Sequence, residues 1–399
     1  MNTKATKNGP GEGTPEDSPQ VSTRQDSPKA RGSVVPSGER SYRASIYPGT
    51  DSTIPTGLAK LVRRLERDFS KLSKENGMTT HIWLLIQTKN EGDNARAGAY
   101  ADLNEDVRRA FFTERDKLSK DKQIVLLIDS SGGSAKSAYQ LATFFRHYCG
   151  RFVALVPRSA KSAATLLAIG ADEIILGNYG ELGPVDAQVR DGGGGYVPTL
   201  DRVKALERLH ASALEALDRT MALLTLRSRE DVDTLLPRAL DFAAALSQPY
   251  LQNTDMVEYT RMSRVLKIGE DYASRLLAYL YDNQESNQTR GYRNTRGSDQ
   301  KVRTAAEDTS FEEELSGDYT RPGRRKARLI AQHLTSAYPD HAFAIDRDEA
   351  KRIGLKVYDP PDDMSPTIDE LVDELHKAMA DRGQEGLIAL GRVVEAKDG

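Results

Sequence analysis

Cysteine is almost missing from this chain: Cys149 stands alone among 399 residues. A single thiol excludes an internal disulfide framework and suits a reducing compartment. Its place at the end of the helix-patterned stretch Ala135–Tyr148 reads as a buried or half-buried thiol rather than a nucleophile. Long apolar runs are missing too. No window reaches the roughly 18 apolar residues that a membrane span requires, so no integral membrane segment is expected. The N-terminus lacks the basic-then-apolar order of a secretory signal. Net charge is only −3, which gives no electrostatic case for nucleic acid or an anionic membrane as partner. The histidines His81, His147, His210, His333, His341 and His376 are dispersed, with neither His-x-x-x-His nor His beside Cys. No metal and no cofactor is therefore expected. What these absences leave is a cytoplasmic protein.

Residues 1–53 are rich in Pro, Gly, Ser and Thr and poor in large apolar groups, which predicts a disordered tail. From Thr56 the pattern changes: Leu58, Leu61, Val62, Leu65 and Phe69 recur at helical spacing among Lys, Arg and Glu. His81–Thr88 and Gln123–Asp129 are short, nearly continuous apolar runs, the pattern of strands buried on both faces. A helix is predicted between them, from Leu103 to Leu118, capped by Asn104 or Asp102. A further helix, Ala135–Tyr148, leads to strand Phe152–Val156, then to a helix carrying Ser162, then to strand Glu173–Leu176. This alternation over 54–191 argues an α/β domain with a largely parallel sheet and right-handed crossovers.

Beyond the glycine run 191–195 the chain reads as a helical region, 192–283, used for packing or oligomerisation. A polar, mobile insertion is expected over 284–322. Residues 323–399 return to helix from Arg324, with a short strand His341–Ile345, a short helix Asp346–Ile353 closed by Gly354, and an amphipathic helix Ser365–Ala380. They are expected to complete the core, with the last residues on the surface. No internal repeat is present.

The stretch around which the chain is organised is Pro157-Arg-Ser-Ala-Lys-Ser162-Ala-Ala-Thr165. An apolar strand, a turn of small residues carrying a serine, and a small-residue helix place a hydroxyl at a helix N-terminus. Free N–H groups and the helix dipole there favour a developing oxyanion. One crossover earlier, Ser130-Ser-Gly-Gly-Ser134 ends the preceding strand, and its glycines let backbone approach a ligand. Sites in such sheets form at the carboxyl ends of strands, where both turns lie. The amides of Gly133 and Ala163 would together make a two-donor oxyanion hole.

The order Ile128-Asp-Ser-Ser-Gly-Gly133, Val156–Thr165, Gly170-Ala-Asp-Glu-Ile174 and Glu181-Leu-Gly-Pro-Val-Asp-Ala-Gln188 resembles the serine dehydrogenase proteinase family. That family is similar to signal peptide peptidase A, within the Clp protease/crotonase superfamily. The resemblance is densest over 81–188 and resumes at Tyr338–Ile345, Glu349-Ala350 and Gly354–Val357. It implies a Clp/crotonase-like spiral of ββα units, here with an added helical region. It also implies Ser162 as nucleophile, Gly133 and Ala163 as oxyanion donors, a peptide or protein substrate, and a homo-oligomer. The chain departs from the family pattern at Ser131, where Pro is usual, at Ala164, where Gly is usual, and at Ala187, where Pro is usual.

A serine nucleophile needs a base, and three residues are candidates. Lys204 lies at a separation resembling that of serine–lysine dyads. Asp186 stands roughly where Clp proteases carry histidine. His341 has the right chemistry and sits in a segment that matches the family. Lys161, adjacent to Ser162, points about 100° away on a helix and is expected to face solvent or an acidic group. The leading reading is a serine-type peptidase working through an acyl-enzyme on Ser162. The alternatives are a catalytically inactive scaffold or interaction protein of the same fold, and an acyl-CoA-binding crotonase-like enzyme.

Overall fold

The computed structural model describes residues 42–47, 52–54, 56–72, 77–87, 102–186, 188–190, 196–293, 322–381 and 386–395. Its centre is a run of parallel strands built from the apolar runs: β3 (Thr79–Gln87), β4 (Lys122–Asp129), β5 (Arg151–Val156), β7 (Glu173–Leu176) and β11 (Val357–Tyr358). They lie side by side in the order β11-β7-β5-β4-β3. Successive side chains point to opposite faces, so each strand feeds two cores. Trp83, Leu85, Ile124, Leu126, Ile128, Phe152 and Ala154 enter the first. Ile82, Leu84, Ile86, Val125, Leu127, Val153 and Leu155 enter the second.

The first core is closed by α2 (Glu105–Thr113), α3 (Ala135–Tyr148), α4 (Ala163–Ala168), α7 (Met256–Arg293) and α8 (Pro322–Ser336). Trp83, Phe111 and Phe145 meet there, with ring centroids 5.6–6.0 Å apart. Full burial of side chains this size contributes roughly 1.5–3 kcal/mol each. The second core is closed by α1 (Thr56–Leu72), through Leu58, Val62, Leu65 and Phe69, and by α10 (Ser365–Asp381), through Ile368, Leu371, Val372 and Leu375. In chain order, α5 (Thr199–Arg227) and α6 (Val232–Gln252) stand between α4 and α7, and α9 (Arg347–Arg352), capped by Asp346 and followed by Gly354 at φ +97°, stands between α8 and α10.

A second layer of very short strands sits at the carboxyl ends of the parallel strands. β6 (Ser159–Ala160) pairs in parallel with β8 (Glu181–Leu182). Single bridges join Ser130 to Ala160, Leu182 to Ile345 and Leu103 to Gly133. β4 and β5 each pass through a short paired segment before the helix that follows, which is the ββα unit expected of a Clp-like α/β fold. This layer carries the site.

Several expected boundaries shift. β1 (Tyr42–Tyr47) lies inside the stretch 1–53 read as a disordered tail and β2 (Ser52–Ile54) straddles its end, while residues 1–41 of that stretch lie outside the described residues; β12 (Gly386–Glu395) lies inside the stretch read as surface. They add antiparallel in the order β3-β12-β1-β2, which satisfies the backbone edge that β3 would otherwise expose. The helix expected to end at Leu118 stops at Thr113, because Glu114 leaves helical geometry (φ −93°, ψ 11°) for a 3₁₀ turn. Asn104 is its cap, accepting from the amides of Asp106 and Val107. α7 continues to Arg293, past the expected start of the insertion, and its residues Ala273, Leu276 and Leu277 belong to the first core. The remainder of the 284–322 stretch, up to α8, lies outside the described residues.

His341–Ile345, expected as a strand, is a turn. Asp340 accepts the amide of Ala342 on its side chain and that of Phe343 on its carbonyl, and only Ile345 pairs, with Leu182.

Cys149 is buried at the end of α3, and burial pushes its thiol pKa up to about 12. At pH 8 the thiolate is then on the order of 10⁻⁴ of the thiol population. Alkylation of the native protein by iodoacetamide at that pH should be at least about 100-fold slower than in denaturant. Equal rates would place the thiol at the surface.

Candidate active site

The first wall of the site is the turn after β4. Gly132 and Gly133 hold φ of +104° and +145°, conformations that side-chain-bearing residues rarely adopt. Space demands glycine as well. A Cβ on Gly132 would lie 2.6 Å from the Lys161 carbonyl oxygen and 3.0 Å from Ser162 Cβ, so the turn presses directly on the serine segment. The bridge to Leu103 uses the Gly132 carbonyl and the Ser134 amide, at 2.8 and 2.7 Å. In a parallel bridge that arrangement turns the Gly133 N–H to the opposite side.

Ser130 holds the turn from within. Its hydroxyl accepts the Gly132 amide at 3.1 Å and donates to Gln87 Oε1 at 2.5 Å. Ser131, at the position where the resembled family carries proline, has a buried hydroxyl with no partner among the described residues.

The second wall carries Ser162, whose φ of +51° and ψ of −117° make it the one non-glycine residue at positive φ among the described residues. Such strain costs about 1–3 kcal/mol and persists where surrounding structure imposes it. It is imposed here by β6, paired to β8 on one side and to Ser130 on the other, and by Thr165. The Thr165 hydroxyl donates toward the carbonyls of Ala160 (2.6 Å) and Gly183 (2.9 Å) and accepts the Gly183 amide (3.0 Å). Ser162 precedes α4 but makes no side-chain cap, so its hydroxyl is not used in the local fold. α4 spans only six residues. The dipole contribution expected from sequence is therefore small, since it sums over aligned peptides; the Ala163 amide, unused in the first helical turn, is the local donor that remains.

Of the sequence candidates, the structure brings Asp186 to Ser162 and His341 to Asp186. The serine hydroxyl lies 3.4 Å from the Asp186 main-chain carbonyl, too far to hold it firmly. The Asp186 side chain, 4 % exposed, bonds His341 Nδ1. Facing a carboxylate, Nδ1 carries the proton, and in the neutral ring Nε2 is then the basic nitrogen. His341 is held by its turn and by the paired Leu182 and Ile345 backbones, each amide donating to the other's carbonyl at 2.9 Å. Among the described residues no side-chain base is within hydrogen-bond distance of Ser162 Oγ, a separation common before substrate binds.

Lys204 is not brought to the serine. Its ammonium donates to the carbonyl of Ser336, the last residue of α8, at 2.5 Å, where a cation satisfies an orphan helix-end acceptor. Lys204→Met should therefore lower stability by at most about 1 kcal/mol, read as a small shift of the thermal midpoint; a larger loss would give the lysine a further structural role. Lys161, expected near solvent or an acid, pairs with Glu181 at 2.6 Å and reaches the carbonyls of Leu182 and Phe343 at 3.4 Å, which ties the histidine turn to β8.

Sequence reasoning missed Thr165 and Gln87. Thr165 stood inside the motif as a small residue, and Gln87 ended an apolar strand; neither spacing nor composition marks them. Among the described residues no group of three or more His, Cys, Asp or Glu is placed to hold a metal, and no helix is long and apolar enough to cross a membrane.

Residues 101–234 match the family of ClpP-like SDH-type serine proteinases. The match takes in the glycine turn, Ser162 and Asp186, and stops short of His341. Two uncharacterized proteins of Methanocaldococcus jannaschii are similar: one is 36% identical over 104 residues, covering 26% of this chain and 34% of its own. The other is 34% identical over 70 residues, covering 18% of this chain and 24% of its own. The chain thus spans about a third or less of the curated relatives it matches. A solved membrane-bound stomatin-specific protease is similar at 15% identity and a TM-score of 0.22, over 35% of this chain and 64% of that one. The resemblance read from the sequence holds over the matched span: residues 101–234 are similar to the ClpP-like SDH-type serine proteinases, and the parallel α/β sheet fits that similarity.

Proposed function

We propose that the protein is a serine peptidase that hydrolyses peptide bonds through an acyl-enzyme on Ser162, with His341 as base and Asp186 as its orienting carboxylate. The observation that carries this reading is the strained Ser162, its hydroxyl unused by the fold, beside a buried Asp186 that binds the Nδ1 of His341. In this reading, movement of the His341 turn on substrate binding brings Nε2 to Oγ. Oγ then attacks the peptide carbonyl carbon while Nε2 takes its proton. The carbonyl electrons move to oxygen, where the Gly133 and Ala163 amides donate to the oxyanion. His341 returns the proton to the leaving amine nitrogen as the C–N bond breaks. Water, deprotonated by the same nitrogen, cleaves the resulting ester and restores Ser162.

The test is covalent labelling with a fluorophosphonate probe and mapping of the adduct by mass spectrometry. Attachment at Ser162, accompanied by loss of peptide hydrolysis, is the expected result; hydrolysis that survives full labelling of Ser162 would end the reading. The homo-oligomer implied by the resemblance has a surface available: Leu236, Leu240, Phe242, Leu246 and Tyr250 of α6 are exposed. A second copy of the chain would cover them.

A further inference from the structure

Asp129 is a carboxylate where β4 would be expected to bury an apolar side chain. Val125 and Leu127 point into the second core, and Asp129 continues their face at 6 % exposure. Its partners come from two different elements. His376 Nε2, on α10, lies 2.7 Å from Oδ2, and the Ser159 hydroxyl, on β6, lies 3.2 Å from Oδ1. Asp129 is buried and His376 half-buried, and a polar pair drawn this far into a core seldom maximises stability against a well-packed apolar substitute; its best-attested use is to fix a register. The register at stake here is that of the two turns of the site.

The next residue shows how. The Ser130 amide donates to the Ser159 carbonyl and the Lys161 amide to the Ser130 carbonyl, each at 3.0 Å. Asp129–Ser130 is therefore cross-linked to Ser159–Lys161, the segment immediately before Ser162, and leads directly into Gly132 and Gly133. α10 grips the same junction a second time, through a contact between Asp373 and Arg158. This helix packs on the face of the sheet opposite α4, and among the described residues these polar contacts link it to the turns of the site.

We infer that His376 is a positioning residue for the active site: through Asp129 and Ser159 it holds the glycine turn and the Ser162 turn at the spacing that acylation requires. The pair rests on the serine-peptidase reading for its purpose, though not for its geometry. It touches neither substrate nor Ser162.

The experiment compares His376→Phe, which keeps a ring and removes the donor, with His376→Gln, which restores an amide donor to Asp129. Ser159→Ala removes the second contact and serves if the phenylalanine variant fails to fold. Two readouts are taken on the full chain: the rate of Ser162 acylation by the fluorophosphonate probe together with kcat and KM, and backbone hydrogen exchange at Gly132–Ser134 and Lys161–Ala163. For His376→Phe, acylation and kcat should fall about 10- to 100-fold with KM within twofold, and exchange in both turns should rise. His376→Gln should recover most of both. The inference is overturned if the phenylalanine variant acylates and exchanges like wild type, or if the glutamine variant is as impaired as the phenylalanine one. Absence of labelling at Ser162 in the wild-type protein would instead count against the peptidase reading, and hydrogen exchange would still decide the role of His376.

Discussion

Ser162→Ala is expected to leave a folded protein whose peptide hydrolysis has fallen by about 10⁴-fold or more, since triad members act as a unit and little turnover survives the loss of the nucleophile. The fold should scarcely notice. The hydroxyl caps no helix, and its one contact among the described residues is the 3.4 Å approach to the Asp186 carbonyl. Alanine also inherits the same backbone strain at φ +51°, so the variant neither gains nor loses that contribution. Glycine separates the two effects. Ser162→Gly removes the hydroxyl and relieves the strain, and should be more stable than Ser162→Ala by about 1 kcal/mol, less the extra entropy of the unfolded chain. Thermal melts of the three proteins beside their hydrolysis rates make the check. Wild-type turnover in the alanine variant would dismiss the serine mechanism altogether.

The parts of this architecture that were legible in sequence are those whose environment imposes a local pattern. β4, β5 and β7 are buried on both faces and read as unbroken apolar runs. α3 spans Ala135–Tyr148, as its spacing predicts, between the cap Ser134 and the C-cap Cys149. The glycine turn and Ser162 were legible for another reason: close backbone approach restricts the residue type, and only glycine fits between the turn and Lys161.

What was not legible depends on partners distant in the chain. β12 pairs with β3 in the register Gly386 to Gln87, across some three hundred residues, and nothing local in either strand names the other. The His341 segment was misread as a strand because its alternation of apolar residues is real, while the turn is set by the side chain of Asp340. The base was ambiguous for the same reason. Lys204, Asp186 and His341 differ in sequence only by chemistry and separation, and it is the placement of α8 that engages Lys204 at Ser336 and leaves the other two together.

That pairing sets the second large expectation. Asp186→Asn should lower kcat by about 10⁴-fold while leaving KM and the melting temperature nearly unchanged, the behaviour of a triad whose histidine is held in the wrong tautomer. The physical cause lies in the hydrogen-bond inventory. A carboxylate only accepts, so Nδ1 must carry the proton and Nε2 is free to take one from Ser162. An asparagine amide turned toward the ring instead donates to Nδ1, which moves the ring proton to Nε2 and removes the base. His341→Ala should cost as much activity. It also leaves the buried Asp186 carboxylate without its partner, a loss of about 3 kcal/mol, so the asparagine variant is the cleaner of the two. Imidazole added to His341→Ala should restore part of the acylation rate at Ser162, because the space vacated lies beside an orienting carboxylate that is still in place. If Asp186→Asn hydrolyses peptide at the wild-type rate, Asp186 holds the His341 turn as structure and the base must be sought elsewhere.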